Sequence, residues 1–308
     1  MVEKWSRERR RTEGKETHFL RGPRPLQWRC AHPIGGVRSW PVVNKSPFKR
    51  VALTRVLGAS AGLIQGDFFT RDRWLWLKGR LPRTRNDETL LDVGCGTGAF
   101  SIAASQRGYH CLGLSWDESD LAVARERAAL CGAAHADFRV CDIRQLDQEE
   151  ALQGRFDFVL CCENIEHVLD DRRLVLAMAG CLKPGGRLLL TSPNYHYKAV
   201  APGDLGPFER EERGWHVRRG YSRGQLLDLF NDSGLFVEDI SFCSGWFSQK
   251  FTGFLRLFDG RPFLIGWAVT MPVRFLIPAA DKIFGRIVRH PGYSICVEAY
   301  KTRHGLRN

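Results

Sequence analysis

No apolar run in the 308 residues approaches the 18 or more needed to cross a bilayer as a helix. In the greasiest region only 12 uncharged residues lie between Arg261 and Arg274, with prolines among them. There is no Cys-x-x-Cys pair and no His/Cys grouping at metal-ligand spacing, so the ten cysteines read as reduced thiols of a cytoplasmic protein and no metal is expected. Internal repeats and low-complexity runs are absent too.

The body also lacks an excess of charge. Residues 1–55 hold 14 Lys/Arg against 4 Asp/Glu, and subtracting these from totals of 46 and 34 leaves 32 against 30 for residues 56–308. A nearly neutral body has no basic face for a phosphate backbone, and there is no NPPY-like motif or catalytic-cysteine motif, so no nucleic-acid partner is expected. The basic excess belongs to residues 1–50, a proline-bearing tail that suits disorder: solvated, wrongly started, or an arm for an anionic surface. No apolar core follows its charges, which argues against a secretory signal.

From residue 89 onward, short apolar runs alternate with helical patterns. The runs are TLLDV (89–93), YHCLGL (109–114), DFRVC (137–141), FDFVLC (156–161) and GRLLLTS (186–192), then LFVEDISFC (235–243) and SICVEAYK (294–301). This order predicts βαβ units on a mostly parallel sheet. Ser115 and Glu118, then Ser222 and Gln225, have capping-box spacing, with Gly132 and Gly234 as helix stops. Residues 51–85 read as a helical cover, with Trp74, Trp76 and Leu77 on the sheet.

The stretch LLDVGCGTGAF (90–100) sets Gly94, Gly96 and Gly98 at a strand-to-helix turn. Glycines there let a ligand approach the bare backbone at a helix start. Gly94, Gly96 and Ala99 also satisfy a dinucleotide fingerprint, so the glycine spacing alone leaves the ligand open.

These residues resemble the first motif of the class I S-adenosylmethionine-dependent methyltransferases, and the resemblance runs in family order for about 150 residues. It implies an α/β, Rossmann-like seven-stranded sheet with helices on both faces, over residues 86–303, and S-adenosyl-L-methionine as cofactor. It places Asp92 near the methionine ammonium, with Gly94, Cys95, Gly96 and Gly98 packed beneath the cofactor. After strand two the family's ribose-binding acid is replaced by Ser115, in GLSWDES. Ser115, Trp116 and Asp117 are the candidates there, with Ser115 serving as a cap or a ribose contact. CDIRQL implies Asp142 and the Ile143 backbone at the adenine, or Asp142 as a turn cap. CCENIEHVLDD resembles the subgroup that includes quinone and other small-molecule methyltransferases, with Glu163 a cofactor-side or substrate-side contact.

His167 stands at the carboxyl end of strand four, where such sheets open onto their crevice. It is a candidate base or acceptor-positioning group, or a loop-holding residue. His196 and His216 are further candidates bordering the acceptor.

Residues 244–293 separate the last two strands by an aromatic-rich insertion, with eight Phe and two Trp in positions 242–292. Phe247, Phe251, Phe254 and Phe258 share one helical face. The insertion reads as a lid or extra core layer, a wall for an apolar, lipid-like acceptor, or a peripheral membrane or dimer contact. The rivals to a methyltransferase are a non-catalytic cofactor-binding or membrane-binding module and an NAD(P)-dependent oxidoreductase.

Overall fold

The structure, a computed structural model, describes residues 51, 54–55, 68–200, 204–231, 233–256, 272–274, 276–288 and 290–302. The basic tail, the start of the helical cover and the centre of the insertion, Phe258 included, lie outside these residues.

Seven strands form one sheet: β1 (Thr89–Val93), β2 (His110–Ser115), β3 (Ala136–Val140), β4 (Phe156–Cys162), β5 (Leu182–Pro193), β6 (Leu235–Cys243) and β7 (Ser294–Lys301), in the order β3-β2-β1-β4-β5-β7-β6. The first five pair in parallel, whereas β7 runs antiparallel to both β5 and β6. All seven expected strands are found, each within four residues of its sequence-derived bounds. β5 differs most, because its ladder begins at Leu182 and passes an irregularity opposite Phe156 and Phe158.

Alternate side chains serve opposite faces, as strand geometry requires. Leu91, Val93, Val159, Leu188 and Leu190 meet α4 (Asp171–Cys181) and α5 (Arg223–Phe230) through Leu174, Val175, Met178, Leu226 and Leu229. On the other face, Leu90, Leu160 and Leu189 pack with Leu77, Leu81, Ala104 and Tyr109, supplied by α1 (Phe68–Arg80), α2 (Ala99–Ser105) and their flanks. With both faces covered, the central strands are apolar throughout rather than alternating.

The expected cover helix is α1, and polar contacts as well as Trp74, Trp76 and Leu77 fasten it. Trp76 Nε1 donates to Ser241 Oγ at 3.0 Å, and Arg80 bonds Glu298 at 2.9 Å and Asp239 at 2.6 Å. Two helices, α6 (Trp246–Arg256) and α7 (Ile277–Val288), follow β6. Phe251 meets Phe68 of α1 with ring centroids 5.8 Å apart, and Phe247 meets Phe284 of α7 at the same distance. Asp281 of α7 accepts from the backbone N–H groups of Phe247 and Ser248, satisfying the start of α6.

Two punctuation readings change. The helix after β2, α3 (Glu118–Leu130), is capped by Asp117, whose carboxylate accepts from Ser119 N–H at 2.8 Å. Ser115 cannot cap it because it is still paired with Val140 in the β2–β3 ladder. The helix α5 stops at Phe230, short of Gly234. Its capping box is present in both directions, Ser222 Oγ accepting from Gln225 N–H and Gln225 Oε1 from Ser222 N–H.

These contacts predict that Ser222→Ala lowers unfolding free energy by about 1 kcal/mol. Leu160→Ala, in the fully buried centre of the sheet, removes about 2–5 kcal/mol. Urea titration followed by circular dichroism reads both, and equal effects would contradict the packing described.

Candidate functional site

The strand order reverses around β1, which has β2 on one side and β4 on the other, and open α/β sheets carry their ligand crevice beyond the strand ends at such a point. Gly94 N–H and Cys95 N–H both donate to the Leu114 carbonyl, at 3.0 and 2.8 Å, tying the turn after β1 to the end of β2. Gly94 has φ +80°, and a Cβ there would lie 2.3 Å from the Asn164 side chain, which itself donates to the Gly94 and Cys162 carbonyls. A Cβ on Gly98 (φ +74°) would strike the Phe138 ring at 2.7 Å, so this glycine lets α2 pack tightly. Around Gly96 nothing lies within 4 Å of such an atom, leaving the turn's outer surface bare.

Beyond the turn is a cleft of about 210 Å³. Its walls are Gly94, Gly96, Ser115, Trp116 and Asp120 on one side, with Asp142, Ile143 and Arg144 following β3. Asn164, His167 and Val168 follow β4, and Glu212 and Gly214 reach over from the long segment after β5.

Of the sequence candidates, Gly94, Gly96, Ser115, Trp116, Asp142, Ile143 and His167 thus share one cavity, and the others do not line it. Asp92 is 1% exposed and sits behind the turn, accepting from Ser101 Oγ at 2.6 Å. Burial pushes its carboxyl up to about 6 against the pull of those Ser101 bonds. Cys95 has a thiol that burial drives well up, and its Sγ would lie 2.8 Å from a Cβ on Gly113. Asp117 is engaged as the helix cap. Glu163, at φ +52°, turns the other way, where its carboxylate accepts from Ser294 Oγ at 3.0 Å and pairs with Arg73 at 3.3 Å. His196 is exposed, its ring against Tyr195.

Asp142 is gripped by Arg144, which bonds it through its backbone N–H, Nε and Nη2 at 2.6–3.1 Å. Burial alone would raise this carboxyl, but the Arg144 contacts outweigh it and hold it below the ordinary range. The same guanidinium reaches Glu212 at 2.9 Å, and Glu212 also accepts from Leu169 N–H at 2.5 Å. The segment carrying Glu212 and Gly214 is thereby latched across the cleft. Arg144, Asn164 and Asp120 stand close to recognised motifs in sequence, whereas Glu212 and Gly214 belong to a segment without periodicity that could flag them.

His216 lies behind His167, the rings edge to face with centroids 4.6 Å apart. Fully buried Glu166 accepts from Ser192 Oγ at 3.2 Å, and its other oxygen is 4.0 Å from Nε2 of both histidines. Burial, then the Glu163 charge, pushes the Glu166 carboxyl well above its usual range. Burial and the neighbouring His216 lower His167 to about 4, so its ring is neutral at physiological pH. Ligand atoms of Glu166, His167 and His216 lie within 4.8 Å of one another, close enough for one cation. Sequence spacing missed this trio because His216 is 49 positions from His167. A divalent ion there would require ionised Glu166, against the burial that favours its neutral form.

The depressed His167 pKa has a definite linkage sign. Unfolded, the ring takes its proton near pH 6.5, whereas the folded chain refuses it until about pH 4, so stability falls as pH falls through that window. Between pH 7 and pH 5 His167 should cost the fold about 2 kcal/mol. Asp92, raised to about 6, acts in the opposite sense, favouring the fold as pH drops from 6 toward 4. Because Asp92 is common to both proteins, the comparison of wild type with His167→Gln isolates the histidine: the variant should lose less stability from pH 7 to pH 5 in chemical denaturation. Parallel losses would rule the depression out.

Among known proteins, the family described as "Methyltransferase domain" matches residues 71–240, more than half of the chain. A ubiquinone biosynthesis O-methyltransferase of Pseudomonas paraeruginosa is 37% identical over 157 residues, covering 50% of this chain and 66% of that protein. One from Acinetobacter baylyi is 36% identical over 156 residues, covering 49% and 65%. The chain thus spans just under two thirds of the length of these curated relatives. Among solved structures, the [4+2]-cyclase SpnF superposes with a TM-score of 0.54 at 20% identity, covering 83% of this chain and 94% of that one. Haemonchus contortus phosphoethanolamine N-methyltransferase 2, solved with S-adenosyl-L-methionine, gives 0.53 at 19%, covering 85% and 58%. With the motif order, the sheet topology and the family match in agreement, the chain belongs to the methyltransferase-domain family.

Proposed function

We propose that this protein is an S-adenosylmethionine-dependent methyltransferase that acts on a hydroxyl of a small apolar acceptor of quinone-like or lipid-like character. The observation that carries the reading is the bare turn at Gly96 opening into a cleft whose far wall is His167. Family membership supports the cofactor, and the relatives named as ubiquinone biosynthesis O-methyltransferases support the acceptor class and the oxygen as target.

Bound in the cleft, the cofactor supplies a methyl group already activated on a cationic sulfur. The chain's task is to align the acceptor oxygen about 3–3.5 Å from that carbon and to exclude water. The Gly94–Gly98 backbone would hold the methionine portion, with Asp92 behind it as a buried acidic group, and Trp116, Asp142 and Ile143 would hold the adenine end. His167, neutral and backed by His216 and Glu166, accepts or orients the acceptor's hydroxyl proton. Cys95, Gly98 and Asp117 support the cleft's cofactor-side walls from outside it.

A peripheral membrane contact accompanies this reading, since an apolar acceptor resides in lipid. Leu276, Ile283 and Ile287 are 66%, 62% and 73% exposed, on and just before α7, with exposed Lys282 beside Ile283 and exposed Lys250 on the contacting helix α6. Apolar side chains flanked by lysines suit the surface of an anionic bilayer. No helix among the described residues is long and apolar enough to span one. The nine described cysteines are free thiols, in keeping with a cytoplasmic setting.

Isothermal titration with S-adenosylmethionine and S-adenosylhomocysteine tests the core of the reading: a methyltransferase binds both, and an oxidoreductase neither. Given a turnover assay, His167→Ala should reduce the rate by roughly 10²–10⁴-fold with S-adenosylhomocysteine affinity unchanged. A rate near wild type would remove the histidine from the chemistry. In co-sedimentation with phosphatidylglycerol vesicles, the wild-type protein should pellet and the double variant I283D/I287D should stay in solution. Wild type remaining in the supernatant would dismiss the membrane contact.

A further inference from the structure

We propose that Asp72, on the seam where α1 meets α6, is a proton-operated clasp that holds the α6–α7 layer to the body of the protein. Phe68 and Asp72 stand one turn apart on α1, and Ser248, Phe251 and Thr252 share one face of α6. Phe68 meets Phe251 across the seam, and beside that aromatic contact lies a polar patch closed to water. Asp72 is 7% exposed, and Ser248 and Thr252 are fully buried. Asp72 Oδ2 and the hydroxyl oxygens of Ser248 and Thr252 make no full hydrogen bond among the described residues. Buried polar atoms are ordinarily satisfied, so a seam with three such atoms has packing that depends on the charge of its one carboxyl.

The groups facing Asp72 do not replace the water it has lost. From α7, the Asp281 charge repels it, and Asp281 is already committed to the Phe247 and Ser248 N–H groups. From α1 itself, Arg71 attracts it, the weakest of these influences. Arg274, 2% exposed and ahead of α7, lies over the Phe68 ring at 4.8 Å. The Ser248 and Ser244 hydroxyls, on α6 and just before it, steady the charge in part. Burial outweighs them and, with Asp281, pushes the Asp72 carboxyl up to about 7. Released from the seam, the carboxyl regains water and an ordinary value near 4, so the docked state binds the proton more tightly. Docking is therefore firmest at low pH and weakens as pH rises from about 4 through about 7. The layer that loosens carries Ile283 and Ile287, so this proton sets how firmly their apolar surface is held.

Hydrogen exchange read by mass spectrometry on the full chain tests the clasp, with rates corrected for the intrinsic effect of pH and β4 peptides as internal reference. Between pH 6 and pH 8 the protection of the wild-type α6 amides, residues 246–256, should fall roughly tenfold relative to β4. That factor follows from a carboxyl that moves from about 4 to about 7 on docking. Asp72→Asn, uncharged and of nearly the same shape, should leave α6 equally protected at both pH values. Should that variant fail to fold, Ser248→Ala serves: losing a hydroxyl that steadies the charge should move the fall to higher pH. Wild-type protection of α6 that does not change with pH, or that falls only in step with β4, overturns the proposal. So does the same tenfold fall in Asp72→Asn, or an unmoved fall in Ser248→Ala where that variant stands in. No cofactor or acceptor enters the measurement, so its outcome is independent of the methyltransferase reading.

Discussion

The site depends on how closely the turn after β1 is drawn against its neighbours. Two consecutive backbone N–H groups, of Gly94 and Cys95, share the Leu114 carbonyl, and the Asn164 amide reaches from the end of β4 to the Gly94 carbonyl. Three strands are thereby stitched together at one end, with hydrogen bonds that leave no room for a side chain at position 94. At position 98 the same closeness is paid to packing, because α2 must sit against Phe138 and Ala124. Only the outer surface at Gly96 is left open, and that opening faces the cavity. Widening the turn would separate β1 from β4 and disperse every wall of the cleft at once.

Electrostatics divides the site into a charged end and a neutral end. Around Arg144, two carboxylates share one guanidinium at partly exposed positions, where ionised groups remain solvated and their bonds are modest in net worth. Around His167 the groups are withdrawn from water, and burial favours the uncharged form of the histidine rings and of Glu166 alike. An apolar acceptor with one polar group would meet the neutral end at little desolvation cost.

Much of the fold was legible because local and global signals agree. Each strand is a short apolar run bounded by glycine or a charged turn, and β6 and β7 carry the same bounds in sequence and structure. The site was legible only where its residues sit beside such a run: Gly94, Gly96, Ser115, Trp116, Asp142, Ile143 and His167 all lie within five residues of a parallel strand's end. Glu212 and Gly214 come from a segment with no period, brought in by the Arg144 bond and by Val217 N–H donating to the Glu166 carbonyl. Asp117 took the capping place expected of Ser115 because β2 continues through Ser115, which delays the helix cap by two residues. Glu163 left the cleft for another reason: a left-handed backbone at that position aims its side chain toward Arg73 and Ser294.

The sheet by itself does not determine the reaction, for it is shared at 20% identity with a protein named as a [4+2]-cyclase. What distinguishes this chain from a bare sheet is the set of helices packed outside it. Arg73 brings α1 to Glu163, Phe68 brings it to Phe251 of α6, and Asp281 of α7 holds the start of α6. These three helices form a connected layer whose inner contacts are aromatic and whose outer stripe, at Ile283 and Ile287, is apolar and exposed. The layer's outer side thus presents apolar side chains, while its inner side is held to the sheet by aromatic contacts and by the Arg73–Glu163 pair.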